Sequence, residues 1–221
     1  IAAAQAARIS SLPVDALVIY DLQDESSRTG AERPFPFLQA VDPFDYAYKY
    51  LGSLTLPKIV YRSVSGLSEP GLIDWLNRLH GHRGAAVLVG APSRSQPVKL
   101  HLADAYRVRN TSVPELPLGG VAIAERHEAR GSEDERILDK LDHGCSFFIT
   151  QAVYSVTATR NLLSDLYYRC ADSGRQVPPL LVTLTPCGSK RTLDFLAWLG
   201  VSVPRWLQNE LLHAHDILDR S

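Results

Sequence analysis

The chain has 221 residues, 45% of them hydrophobic, a formal net charge of -1 and a sequence pI near 6.7. That length buries one sizeable core, and the balanced charge leaves no basic face for nucleic acid and no charge run for a membrane surface. No apolar run reaches bilayer-spanning length, so neither nucleic acid nor membrane is expected as a partner.

The elements follow in chain order. A small-residue helix opens the chain, and Val14 to Asp21 reads as the first strand. The stretch "DESSRTGAERPFPF" is a polar loop broken by Pro34 and Pro36. Pro43 to Leu51 is helical and Lys58 to Val64 is a strand. Ser68 then caps a helix with Leu72, Ile73, Leu76 and Leu79 at helical spacing. "GAAVLVG" and "LGGVAIAE" are two further strands, and "ERHEARGSEDE" is a charged loop. Ser132 opens a helix with acids in its first turn, which suits the helix dipole. Gly144 stops that helix before a buried strand over Cys145 to Thr150. A helix over Thr157 to Ala171, the strand "PLLVTLTP", a helix ending at Gly200 and a last helix begun by Pro204 complete the order.

Strand and helix alternate, which favours an α/β fold with a parallel sheet. Six strands fit a doubly wound sheet, or a (β/α)8 barrel whose first and last strands lie outside these residues. The whole of 1–221 is expected to be a single domain. The chain has no methionine and begins at Ile1, so it is expected to be incomplete at both ends. The three cysteines, Cys145, Cys170 and Cys187, are odd in number and widely spaced. That pattern argues against a disulfide framework or a zinc site and for a cytoplasmic protein.

In either architecture the site lies at the strand C-termini. Asp21, Gln23, Asp24 and Glu25 follow the first strand, and Arg62 and Ser63 end the second. Glu125, Arg126 and His127 follow the fourth, Thr150 and Gln151 end the fifth, and Thr183 and Thr185 end the sixth. A glutamine there can donate and accept together against a heterocycle edge; its structural alternative is a bond to neighbouring backbone. No G-x-G-x-x-G, P-loop or G-x-S-x-G motif is present. His80, His82, His213 and His215 read as surface, and Trp75, Trp198 and Trp206 as packing.

Several segments together resemble the methylenetetrahydrofolate reductase family. They are Lys140, Asp142 and Gly144 before "FFITQ", then "AERHEA" with Glu125 and His127, then "TPCGSKRTLDFLAWLGVSVPRWL". The resemblance implies an eight-stranded α/β barrel that reduces 5,10-methylenetetrahydrofolate to 5-methyltetrahydrofolate. It implies that Gln151 binds the pterin, that Tyr154 lies near the substrate, and that Lys140 meets flavin phosphates. The family's principal acid is expected upstream of Ile1.

The flavin positions depart from the family pattern. Gly90-Ala91-Pro92-Ser93 stands for Gly-Asp-Pro-Pro, and Tyr61-Arg62-Ser63-Val64 for His-Leu-Thr-Cys. Ile123 replaces a tyrosine, Glu133 an aspartate, and the bulky, acidic "YDLQDESSR" a small turn. The leading expectation is therefore reduction with NADH or NADPH as hydride donor, FAD being absent. Catalytic candidates are Asp21, Glu25 and Glu125. Gln151, Tyr154 and Arg62 are expected to bind the folate, and Lys140, His127, Tyr61 and Ala91 to line the cofactor site. Arg28, Arg33 and Arg126 are further candidates for the folate tail or a phosphate. Alternatives are an FAD enzyme with substituted contacts, a non-catalytic folate binder, and an unrelated barrel lyase. Nothing in the sequence fixes the oligomeric state.

Overall fold

The computed structural model describes residues 2–24, 32–91 and 96–213. They divide into two compact units. The first takes Ile1–Arg28, Leu38–Gly119 and His143–Cys145; the second takes Thr29–Phe37, Gly120–Asp142 and Ser146–Ser221.

The first unit begins with α1 (Ala2–Ser10) and β1 (Leu17–Ile19), shorter than its apolar run. Asp42 caps α2 (Pro43–Asp45) by accepting from the Phe44 and Asp45 backbone N–H groups, and a π-helical turn, Tyr46–Tyr50, follows. β2 (Lys58–Ser63), α3 (Glu69–Gly81), β3 (Ala85–Val89) and α4 (Leu102–Ser112) complete the unit with the first residues of β4 (Leu118–Ala122). β1, β2 and β3 pair in parallel. Their core is Val60, Ala86, Val87 and Leu88 under Leu72, Leu76 and Leu79 of α3.

In the second unit β4 leads into α5 (Ala124–Arg130) and α6 (Glu133–Asp142), then β5 (Phe147–Ala152), α7 (Val156–Asp172), β6 (Leu180–Thr183), α8 (Lys190–Trp198) and α9 (Arg205–His213). Phe148 is fully buried, and a Cβ on Gly120 would sit 2.6 Å from its ring and 3.2 Å from Lys140. Only glycine lets that phenyl ring and that lysine stem lie against β4. A second cluster, Cys187, Leu193, Leu196, Val201, Val203 and Leu211, ties α8 to α9.

The strand order is β1-β2-β3-β4-β5-β6, with parallel pairing of β1 to β2, β2 to β3, β3 to β4 and β5 to β6. The described residues thus give an α/β fold with six strands in chain order, against the eight of the expected barrel. None of their helices is long and apolar enough to cross a membrane.

Three readings needed correction. The region of α4 carried no helix in the sequence reading, because Arg109 takes an inward position and breaks the apolar pattern. Its guanidinium donates to the Leu116 carbonyl and to Asn110 Oδ1. "ERHEAR" is helix α5, not loop, closed by Gly131 at φ +62°. Trp206 is 66% exposed, so it packs no core, unlike Trp75 and Trp198. His215 lies outside the described residues.

Gly144 stops α6 as expected, at φ +92°. An added Cβ there would lie 2.7 Å from Asn110 Oδ1 and 3.1 Å from Arg109 Nη1. Gly144→Ala therefore combines a left-handed strain with a clash, and is expected to cost about 1–3 kcal/mol. A fall in the urea midpoint at unchanged m-value measures it; an unchanged midpoint contradicts the account.

Candidate functional site

In the first unit the polar ends of β1 and β2 form a cleft. Parallel strands end with backbone groups that the ladder no longer pairs, so side chains take them. Asp21 Oδ2 accepts the Ser63 backbone N–H at 2.8 Å, while its Oδ1 accepts Gln23 Nε2 at 2.7 Å. Ser63 and Ser65 share one side of the strand end, with their hydroxyls 3.4 Å apart. Asp21, Gln23, Arg62, Ser63, Ser65, Gly66, Leu67, Gln96 and Pro97 enclose about 430 Å³, within the range of small-molecule sites.

Arg62 donates to Asp42 Oδ2 at 2.6 Å. The expected folate-tail arginine is thus already paired, because the helix cap of α2 brings a carboxylate to it. Tyr61, on the neighbouring position, is buried with its ring 4.5 Å from that of Tyr20. Burial, reinforced by Tyr20, raises its pKa and keeps it a neutral phenol. Ala91 is half-buried two residues past β3. Glu25 and Arg28 lie outside the described residues.

In the second unit Glu125 lies in the first turn of α5 and Gln151 is the penultimate residue of β5. One turn, after α8, engages both: Gln151 Nε2 donates to the Leu199 carbonyl at 3.1 Å, and the Ser202 N–H donates to Glu125 Oε1 at 3.1 Å. The structural alternative for Gln151, a bond to backbone, is therefore realised. It does not exhaust the amide, whose Oε1 and second N–H make no bond among the described residues. The β5–β6 register shifts between Ile149 and Ala152. There the Thr183 N–H donates to Thr150 Oγ1 at 2.9 Å and Thr183 Oγ1 to the Thr150 carbonyl at 2.7 Å. Such irregularities re-aim strand-end side chains. The gap behind them, lined by Glu125, Thr150, Gln151, Leu162 and Leu180, is only about 10 Å³, roughly one water.

Tyr154 donates to the Thr185 carbonyl at 2.6 Å and packs against the cluster that holds Cys187. Burial, with a smaller push from Cys187, raises its pKa. Cys187 is fully buried with its own pKa raised by burial, a small core residue.

Lys140 and His127, expected in the cofactor site, have protein partners. Lys140 is buried, with Nζ 2.5 Å from the Val121 carbonyl. His127 lies in the helix layer, with Nε2 2.9 Å from Asp165 Oδ2 on α7 and Nδ1 3.5 Å from Asp134 Oδ1 on α6. Asp134 in turn holds Arg169 at 2.5 Å. Arg126 is committed to Glu133, whose carboxylate is fully buried and also accepts the Ile123 N–H. Arg33 stands over the rings of Phe37, Phe195 and Trp198 at 5.4–5.5 Å. The sequence reading missed Asp42, Ser65 and Gln96. Asp42 had a signal, an acid directly before Pro43; Ser65 had one in its two-residue alternation with Ser63.

No family model and no curated protein matches the chain. Among solved structures it is similar to an uncharacterized protein from Clostridium thermocellum that binds two copies of 5-methyl-5,6,7,8-tetrahydrofolic acid. The two are 43% identical with a TM-score of 0.84, over 99% of this chain and 71% of that one. It also resembles 2,3-dimethylmalate lyase, a PEP mutase/isocitrate lyase superfamily member, at 12% identity and a TM-score of 0.55. That likeness covers 96% of this chain and 79% of the lyase, and shows the fold alone.

The placement of His127 has a measurable consequence. His127→Leu strips the hydrogen bond from Asp165 and leaves the buried Asp134 facing an apolar group. It is expected to cost about 1–3 kcal/mol of stability while leaving ligand affinity unchanged. Denaturant unfolding beside a binding titration checks both; lost affinity in a fully stable variant would restore the cofactor role.

Proposed function

The chain belongs to the same family as the Clostridium thermocellum protein, and from that membership we propose that it binds reduced folate of the 5-methyltetrahydrofolate type. The observation that carries this reading is 43% identity across 99% of the chain to a protein with that ligand. The chemistry of the strand ends supports it. A pteridine edge alternates N–H donors with carbonyl and ring-nitrogen acceptors. The Gln151 amide, oriented by the Leu199 carbonyl, keeps one donor and one acceptor for such an edge. Glu125 stands close by, engaged by the same turn.

Reduction is the second reading. The ligand of the relative is also the product of methylenetetrahydrofolate reduction, the reaction implied by the sequence resemblance. In that reading a nicotinamide supplies the hydride. Lys140, expected at flavin phosphates, already donates to the Val121 carbonyl, and His127 faces Asp165.

Calorimetric titration of the full chain with 5-methyltetrahydrofolate tests the first reading. Saturable binding is expected, with Gln151→Leu weakening it by about tenfold or more, the value of one or two buried hydrogen bonds. No saturable binding by the wild type defeats the proposal. Incubation with methylenetetrahydrofolate and NADH or NADPH, without added flavin, separates the readings. Nicotinamide oxidation coupled to 5-methyltetrahydrofolate formation makes the protein a reductase; binding without turnover leaves it a folate binder.

A further inference from the structure

The cleft of the first unit carries an inference of its own. We propose that it binds a 2-aminopyrimidin-4-one ring, with the Asp21 carboxylate receiving the ring N–H and the exocyclic amine together. The choice of this ring rests on the folate reading; the site itself rests on the geometry of the cleft.

Charge comes first. Among the described residues, Asp21 and Arg62 are the ionic groups that line the cleft. Arg62 is neutralised by Asp42 at 2.6 Å, so it offers no net positive charge. Asp21 makes no ion pair among the described residues, and its two described partners are uncharged donors, the Ser63 N–H and the Gln23 amide. The described part of the wall is therefore net acidic, which disfavours an anionic group such as a folate glutamate tail.

Shape comes second. Each carboxylate oxygen of Asp21 accepts one bond and retains further acceptor capacity. Held at both oxygens, the group is fixed in orientation before a ligand arrives, so little rotamer entropy is lost on binding. A fixed carboxylate suits two parallel N–H donors, which an amidine-like edge presents. The Ser63 and Ser65 hydroxyls, 3.4 Å apart, and the Gln23 and Gln96 amides add donors and acceptors around it. The volume of about 430 Å³ admits a bicyclic ring. The relative binds two copies of one folate, which agrees with two places. Gln151 serves one, and this cleft is the second.

The test uses the full chain and two probes in calorimetric titration: pterin, which carries the 2-amino group, and lumazine, which has a carbonyl in its place. Two variants address the cleft. Asp21→Asn keeps an acceptor for the Ser63 N–H and removes the second acceptor oxygen. Gly66→Leu occludes the cleft at a position where a Cβ meets nothing within 4 Å, so it guards against a folding defect in the first variant. Pterin is expected to bind the wild type at least tenfold more tightly than lumazine. Both variants are expected to weaken one of two pterin sites by about tenfold or more, the value of a charge-assisted pair, and Gln151→Leu to weaken the other alone. Equal binding of pterin by wild type and both variants overturns the proposal, as does failure of the wild type to bind pterin. A single pterin site in the wild type, or loss of both sites in any one variant, overturns the second place. Asp21-dependent pterin binding without any binding of 5-methyltetrahydrofolate upholds the cleft and defeats the folate reading alone.

Discussion

The hydrogen bond from the Ser63 N–H to Asp21 Oδ2, 2.8 Å long, joins β1 to β2 beyond the point where their ladder stops. It meets a constraint common to every strand end here. A parallel strand that runs toward a ligand site must stop pairing, and its last N–H and C=O groups then need other partners. The same solution recurs in the second unit. Thr150 and Thr183 exchange side-chain and backbone bonds where the register shifts. Gln151 and Glu125 bond the backbone of the turn after α8. The residues with the chemistry for recognition are also the residues that close the fold at its strand ends.

This double duty changes what the charges can do. Four arginines stood out in the sequence as receivers of a carboxylate tail or phosphate. Arg28 lies outside the described residues. Arg62 and Arg126 are consumed by Asp42 and Glu133, the second of these with a fully buried carboxylate. An arginine paired at this range offers an anion little, because the ligand must first compete with a carboxylate already in place. Arg33 differs, since three aromatic rings surround it and two of its buried nitrogens have no partner among the described residues. Its placement holds the stretch before Leu38 onto α8, alongside Arg191, which donates to the Pro34 carbonyl. Packing by guanidinium on aromatic faces explains that role without a ligand.

What the sequence made legible follows from these physical facts. Strands were visible wherever both faces are buried, as in β3 and β5, because a continuous apolar run needs no periodicity to announce it. Helix α3 was visible because Leu72, Trp75, Leu76 and Leu79 mark one face. Helices α4 and α5 were not, because their inward faces carry Arg109 and His127, buried residues satisfied by distant partners. No local pattern encodes a carbonyl seven residues away or a carboxylate on another helix. The same blindness covered the site. Asp21, Arg62, Glu125 and Gln151 were found as polar residues at strand ends, but who bonds whom depends on the register, on the α2 cap and on the turn after α8. Lys140 and His127 were expected in the cofactor site by motif alone, and no motif shows that they also bond the Val121 carbonyl and Asp165.

Fixation also bears on chemistry. Recognition benefits from groups that cannot move, since each locked rotamer is entropy the ligand need not supply. Proton transfer makes a different demand, for an oxygen left open to the substrate. Asp21 has both oxygens engaged, which suits a reader of paired donors better than an acid. Glu125 accepts through Oε1, and its other oxygen makes no bond among the described residues. If this chain handles a proton with one of these two carboxylates, the geometry favours Glu125, with the Ser202 N–H holding it in place. Asp21 remains the group whose rigidity is best spent on choosing what binds.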